Sequence, residues 1–452
     1  MTYSTPDAQP TDQELYDSVF SSLTTVTAFD APAPPLVIID YPCGLGKTTA
    51  LISVLERMPD LKVLVVVQTL DEVNRIVSSV PVGRLLAPEG SGSNYRTKGE
   101  QLDPLVRAGK SIVITHNLYE RAGTLAYQGA FESYKVIIDE VPDAVSPSKL
   151  NLDPKSFKEF YIDPGYCSLR KDGLVVMTDR GLEEEERLKS ALDESLISSI
   201  SSGRLYYDGN KHFIQTLPTS LFTHTDGVIV LTFLSEGSLF LKFLEKFQID
   251  YTASKSRQCH QRFQLQASGN LKIHRMSSLD KVSFSYSKQT SYTPKSAEVT
   301  KVRNALKNLR QRDLAVVDLE NLMITCAKKN WFKRLGSDYD EAKPGLFSIN
   351  SRMFKGAEWL PNTTRGTNKY LHCTHAIYLY EQNVNPILLR WLNADNAEFR
   401  AAYALTEMVQ WLWRSQLRRG KAVDVYMPSR RMREIIQKWA SDGKQPEPWM
   451  CT

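Results

Sequence analysis

Cysteine is scarce and scattered: six in 452 residues, at Cys43, Cys167, Cys259, Cys326, Cys373 and Cys451, with no Cys-x-x-Cys pair. That spacing excludes a disulfide framework and an iron–sulfur or zinc ribbon, so free thiols in a cytoplasmic setting are expected. His372-Cys373-Thr374-His375 offers metal-ligand types without a fourth ligand, and it runs straight into the strand-like Ala376 to Tyr380. Long apolar runs are missing as well. None approaches the roughly 20 residues needed to span a bilayer, and no membrane partner is expected. Met1 to Pro35 is rich in Thr, Ser, Ala, Asp and Pro and lacks a basic stretch followed by an apolar one, so it does not read as a secretory leader. No tandem repeat points to a solenoid. Charge of one sign is not in large excess; a net +5 permits a polyanionic partner without demanding one.

What is present suits a soluble protein with substantial cores, at 42% apolar and 24% charged residues. The length exceeds what one core usually organises, which predicts two domains. Apolar strand patterns at Pro35 to Asp40, Leu61 to Val67, Ser111 to Thr115, Tyr134 to Asp139 and Gly227 to Thr232 alternate with helical patterns at Lys47 to Met58 and Leu70 to Val77. Strands alternating with helices predict a parallel sheet covered on both faces. Between them, residues 150–224 read as an α+β insertion, with a charged helical stretch from Leu182 to Leu196 and a hairpin from Arg204 to Gln215 turning at Asp208-Gly209. Gln261 to Ala305 is weakly periodic and reads as a crossing. Beyond it, Leu314 to Leu319, Asn321 to Cys326, Thr374 to Tyr380 and Val423 to Met427 are strand-like, and Ala397 to Arg419 and Arg430 to Trp439 are helix-like. The expected layout is an N-terminal extension over 1–33, a first α/β domain over 34–268 and a second over 269–452.

The segment with the clearest chemistry is Pro42-Cys43-Gly44-Leu45-Gly46-Lys47-Thr48-Thr49, set between an apolar strand and an amphipathic helix. Gly44 and Gly46 let consecutive N–H groups curl around a phosphate, and the following helix adds its positive end. Lys47 would reach the β- and γ-phosphates of ATP, and the Thr48 hydroxyl would bind Mg²⁺. The usual Gly-x-x-x-x-Gly-Lys-Ser/Thr has its first glycine replaced by Tyr41. A second strand ends in Asp139-Glu140: Asp139 is placed to hold Mg²⁺ through water, and Glu140 to orient and deprotonate the attacking water.

Together with these segments, an ordered set of others resembles the superfamily 2 (DExD/H-type) helicases, particularly the compact helicase-like ATPases of phages and mobile elements. The resemblance runs from about Leu36 to Trp439. Val63 to Leu70 looks like motif Ia, Ile114-Thr115-His116-Asn117 like motif Ib, and Asp139-Glu140-Val141-Pro142 like motif II. Leu231-Thr232-Phe233-Leu234 stands in the place of motif III but departs from it at Phe233 and Leu234. Thr364-Arg365-Gly366-Thr367-Asn368 is similar to motif V. Gln410 to Arg419 resembles motif VI, with Trp413 where glycine is usual and the second arginine, Arg418, four residues after Arg414 instead of three.

The resemblance implies two RecA-like parallel-sheet domains in tandem, with ATP and Mg²⁺ in the cleft between them. It implies catalytic roles for Lys47, Glu140, Gln410, Arg414 and Arg418, the two arginines sharing one helix face. It also implies nucleic-acid contacts, to the backbone of DNA or RNA, from Thr69, Thr115, His116, Arg365, Gly366, Thr367 and Asn368. The threonines at strand ends equally suit helix caps. Trp331, Trp359, Trp391, Trp411 and Trp413 suit apolar cores before base stacking. The reading is an ATP-dependent helicase or translocase, working with replication or recombination proteins. Two alternatives remain open: a packaging motor with a nuclease half drawing on Asp318, Glu320, Asp338, Asp340 and Glu341, and an ATP-gated scaffold that moves along nothing.

Overall fold

Short runs of Val, Ile and Leu with no polar alternation have no face to offer water, and they settle as strands buried on both sides. In the computed structural model, which describes residues 13–24, 35–89, 97–148, 153–190, 194–336, 338–348, 351–364 and 367–442, two parallel sheets form this way. The chain divides into two compact units. One holds Met1–Tyr41, Leu45–Lys255 and Asn385–Asn396; the other holds Pro42–Gly44, Ser256–Val384 and Ala397–Thr452.

The first unit carries β1 (Leu36–Asp40), β2 (Val63–Val67), β3 (Ile112–Thr115) and β4 (Lys135–Asp139), then the insertion, then β10 (Gly227–Thr232) and β11 (Thr252–Lys255). All six lie parallel in the order β11-β1-β10-β4-β2-β3. From β1 the chain moves toward one edge, to β2; from β10 it moves to the other, to β11. That reversal opens a crevice at the carboxyl ends of the central strands, the place where open α/β sheets take ligands. The register brings Asp40 beside Thr232 and Leu231 beside Asp139, so three strand tips meet there.

The insertion has its own sheets and core. β5 (Val145–Pro147), β8 (Leu205–Tyr207) and β9 (Phe213–Thr216) form an antiparallel sheet, and β6 (Cys167–Leu169) pairs with β7 (Val175–Met177). Phe157, Tyr161, Leu196, Ile197, Leu205 and Phe213 pack beneath them. The expected turn is present: Gly209 is left-handed, at φ 78°, and the Asp208 carboxylate accepts from the N–H groups of Asn210 and His212 at 2.7 and 2.9 Å.

The second sheet runs β12-β18-β17-β13-β16, all parallel, from β12 (Leu271–Arg275), β13 (Leu322–Thr325), β16 (Glu358–Trp359), β17 (His375–Tyr378) and β18 (Val423–Met427). An antiparallel hairpin of β14 (Phe332–Leu335) and β15 (Asp338–Pro344) stands apart from it. The expected fold class, α/β with two parallel sheets in tandem and an α+β insertion in the first, is the one observed.

Three local expectations are corrected. Leu314 to Leu319 is not a strand but a turn after the helix Ala297–Gln311; Leu314 enters the core while Val316 is 97% exposed. The stretch after Gln261 is not an irregular crossing. From Gln261 to Ala305 it holds the end of the helix Arg257–Asn270, then β12, the helix Tyr286–Ser291 and the start of the helix Ala297–Gln311; the first of these has a weak period because only Cys259, Phe263 and Ala267 are buried. Phe263 stacks on Trp413 at 4.0 Å and meets Trp439, which explains why the change of unit falls at Ser256 and not near 269. The third concerns Asn385–Asn396, expected in the second domain but grouped with the first unit. Trp391, at the end of the helix Pro386–Trp391, packs on Tyr206 and Phe247, and the Lys246 ammonium lies 4.3 Å from its ring centre and donates to its carbonyl at 2.8 Å.

Candidate active site

The loop after β1 takes the shape its glycines permit. Gly44 and Gly46 sit at φ 93° and 84°, a region costly for any residue with a Cβ, and Gly46 leads directly into the helix Lys47–Arg57. Lys47 is buried to 7% exposure, and its ammonium donates to the Tyr41 carbonyl at 2.7 Å. The Thr48 hydroxyl donates to Asp139 Oδ2 at 2.9 Å, tying the loop to the tip of β4. Two of the residues expected at a magnesium centre therefore touch. Desolvation by the surrounding strand ends, with Glu140 adding to it, pushes the Asp139 carboxyl up to about 6; Lys47 and the Thr48 hydroxyl pull the other way.

Glu140 adopts φ 68°, unusual for a residue with a long side chain. Its N–H extends the ladder to the Leu231 carbonyl at 2.8 Å, while its Oε2 is buried with no hydrogen-bond partner among the described residues. A backbone held out of its preferred region beside an unsatisfied carboxylate oxygen is strain of the kind found at working sites.

One residue of this centre was not legible beforehand. Asp40 ends β1, is 1% exposed, and accepts from the Leu234 N–H (2.9 Å), the Ser235 N–H (2.9 Å) and the Ser235 hydroxyl (2.7 Å). These bonds fix the turn after β10, in which Leu234 is left-handed at φ 55°. In sequence Asp40 reads as a polar strand end; its partners lie 194 and 195 residues away, and no local signal marks them. Asp40→Ala strands three buried donors and is expected to lower stability by about 3 kcal/mol. Urea unfolding would show this as a lower midpoint, and an unmoved midpoint would remove the clamp from the account.

Thr69 and Thr115, expected on nucleic-acid phosphates, cap helices: their hydroxyls accept from the Glu72 N–H (3.3 Å) and the Leu118 N–H (3.4 Å). His116 Nε2 lies 3.1 Å from the Asp139 carbonyl oxygen, joining that segment to the site.

Within the second unit the two motif-like segments come together. Arg414 donates to the Thr367 carbonyl at 3.4 Å, and Arg418 to Asn368 Oδ1 at 2.8 Å. Arg365 and Gly366 lie outside the described residues. Gln410 is buried on the helix Ala397–Leu412. The two arginines do not share that helix. It ends at Leu412, Trp413 turns into the core against Phe263, and Ser415 starts a separate 3₁₀ turn, Gln416–Arg419, by accepting from the Leu417 N–H at 3.3 Å. Arg414 is 3% exposed, and its Nε and Nη2 are buried without a partner among the described residues. Trp331, Trp411 and Trp413 are core residues.

The architecture and loop thus define a parallel-sheet α/β protein with a glycine-built turn leading from β1 into the helix Lys47–Arg57. Residues 264–440 match the family described as the YonV C-terminal Rossmann-like domain. The chain is similar to the SPbeta prophage-derived uncharacterized protein YonV of Bacillus subtilis (strain 168), with 24% identity over 435 residues, covering 90% of this chain and 99% of that protein. Among solved structures it is similar to S. tokodaii Xpd4, with TM-score 0.44, 12% identity, and 96% and 98% of the two chains covered. It is also similar to S. cerevisiae Dbp5 bound to RNA and ADP BeF3, with TM-score 0.38, 10% identity, and 96% and 92% covered.

Proposed function

We propose that the chain is an ATP-dependent nucleic-acid helicase or translocase. The observation that carries the hydrolytic part is the Thr48–Asp139 hydrogen bond with Glu140 beside it. Two hard oxygen donors lie together beside the glycine loop, next to a carboxylate oxygen that no donor among the described residues claims. That donor set fits Mg²⁺, which Thr48 and Asp139 would hold and which would supply charge neutralisation to the phosphates. Gly44, Leu45, Gly46, Lys47, Thr48 and Thr49 would bind the phosphates of ATP, with the Lys47 ammonium leaving the Tyr41 carbonyl for the substrate. Glu140 would take the proton of the attacking water. Arg414 and Arg418 would stabilise the charge that develops on the transferred phosphoryl group, with Gln410 beside them.

The movement reading is supported by the order of the remaining segments, with Thr69, Thr115, His116, Arg365, Gly366, Thr367 and Asn368 as backbone contacts. Phosphates carry no sequence, so binding is expected to be sequence-tolerant and salt-sensitive. Of the five acidic residues considered for the nuclease alternative, three are engaged locally. Asp318 caps the Glu320 N–H, Asp340 pairs with Lys343, and Glu341 pairs with Lys328.

Lys47→Ala is expected to lower ATP turnover by about 10²- to 10³-fold. The deciding experiment measures that turnover with single- and double-stranded DNA and RNA at two salt concentrations. Full stimulated activity in the Lys47→Ala protein overturns the ATPase. Wild-type turnover that ignores every nucleic acid leaves the ATP-gated scaffold.

A further inference from the structure

The hairpin of β14 and β15 adds nothing to the five-stranded sheet, yet it gathers aromatic rings at its surface. Lys328 Nζ lies 6.0, 5.3 and 5.7 Å from the ring centres of Phe332, Tyr339 and Trp359. Phe332 meets Trp359 edge to face at 5.4 Å, and the Trp359 indole N–H donates to the Cys326 carbonyl at 3.2 Å, which fixes that ring's orientation. All three rings are only partly buried. Tyr339 pairs directly with Arg334 across the ladder, which sets both side chains off on the same face, and the exposed Arg334 donates from Nε to the Gly336 carbonyl at 2.9 Å.

The ladder also slips. Phe332 pairs with Pro344 while Lys333 pairs with Asp340, so Glu341, Ala342 and Lys343 loop out. The bulge borders a cavity of about 420 Å³ lined by Trp331, Phe332, Lys343, Phe354 and Lys355 among others. An aromatic surface flanked by Lys328, Arg334, Lys343 and Lys355 is more than the packing of a two-stranded hairpin requires. Three of the nearby acids have cationic partners: Glu341 pairs with Lys328 at 3.1 Å, Asp340 with Lys343 at 3.1 Å and Glu358 with Lys369 at 3.3 Å, while Asp338 accepts from the Tyr339 N–H at 2.8 Å.

We propose that this face is a stacking platform for single-stranded nucleic acid: bases lie on Tyr339, Phe332 and Trp359, and Lys328 and Arg334 take the flanking phosphates. The inference rests on the nucleic-acid reading above and names where the bases, as distinct from the backbone, are held. Rings offer a π-face to any base, and the cations supply the charge complement that a strand needs and a neutral apolar partner does not. In the free protein Lys328 lies against the rings with Glu341 as its counterion. An arriving phosphate replaces Glu341, and a base replaces the ammonium on the rings.

The test measures fluorescence anisotropy of a labelled single-stranded oligonucleotide of mixed sequence with the full chain and three variants. Tyr339→Ala is expected to weaken binding about 5- to 100-fold, the range for losing one stacked base. Tyr339→Phe keeps the ring and is expected to stay within about twofold of wild type. Arg334→Ala is expected to weaken binding and to reduce the salt slope by about one. Affinity for a fluorescent ATP analogue, unchanged in all three, shows that each variant is folded. Wild-type affinity in Tyr339→Ala overturns the platform and leaves the proposed function standing, as does a loss in Tyr339→Phe equal to that in Tyr339→Ala. A wild-type protein that hydrolyses ATP but binds no strand overturns the platform together with the nucleic-acid reading.

Discussion

Arg414→Ala is expected to lower kcat for ATP hydrolysis by about 10³-fold or more, the scale on which an arginine acts at a transferring phosphoryl group. The variant is also expected to unfold no more easily than wild type in the absence of nucleotide. The physical reason is the state of the side chain. Its guanidinium is 3% exposed, makes one long bond to the Thr367 carbonyl, and leaves Nε and Nη2 with no protein partner among the described residues. A buried cation held so loosely costs stability, and removing it relieves that cost. A purely structural arginine would behave in the opposite way, with urea stability and activity falling together. Arg414→Lys is expected to recover little, because an ammonium cannot reproduce a planar fork of donors. Steady-state turnover beside a urea titration separates the outcomes.

Glu140→Gln is expected to leave ATP affinity within a few fold and to cut kcat by about 10²- to 10⁴-fold, the usual worth of a positioned general base. Glutamine keeps the shape and the left-handed backbone, so the fold has no reason to respond. What disappears is the basic oxygen. If Glu140→Gln turned over within tenfold of wild type, the carboxylate would not be the base, and the strain at φ 68° would need another explanation. Single-turnover measurement with prebound nucleotide isolates this step from binding.

Much of the first unit could be read in the sequence because its signals are local. Val63 to Val67 and Lys135 to Asp139 are apolar runs that no exposed element tolerates, and Gly44-Leu45-Gly46-Lys47-Thr48 carries its conformation in its glycines. The second unit was less legible. Helix Arg257–Asn270 buries only three residues, so its period is faint, and Leu314 to Val317 imitates a strand while forming a turn. The end of the helix at Leu412 depends on Trp413 finding Phe263, 150 residues earlier in the chain, and the Asp40 clamp depends on Ser235. Contacts between distant segments decide these points, and local pattern carries no record of them.

The helix Pro386–Trp391 has a practical consequence for anyone who would take the molecule apart. A fragment ending at Lys255 would leave the ring faces of Tyr206 and Phe247 that Trp391 covers open to water, and a fragment beginning at Ser256 would carry that tryptophan without the two rings it packs on. Neither half is a clean domain in the genetic sense. Co-expressed pieces would be expected to pair where this short helix packs, and separately expressed pieces to clump at the same place.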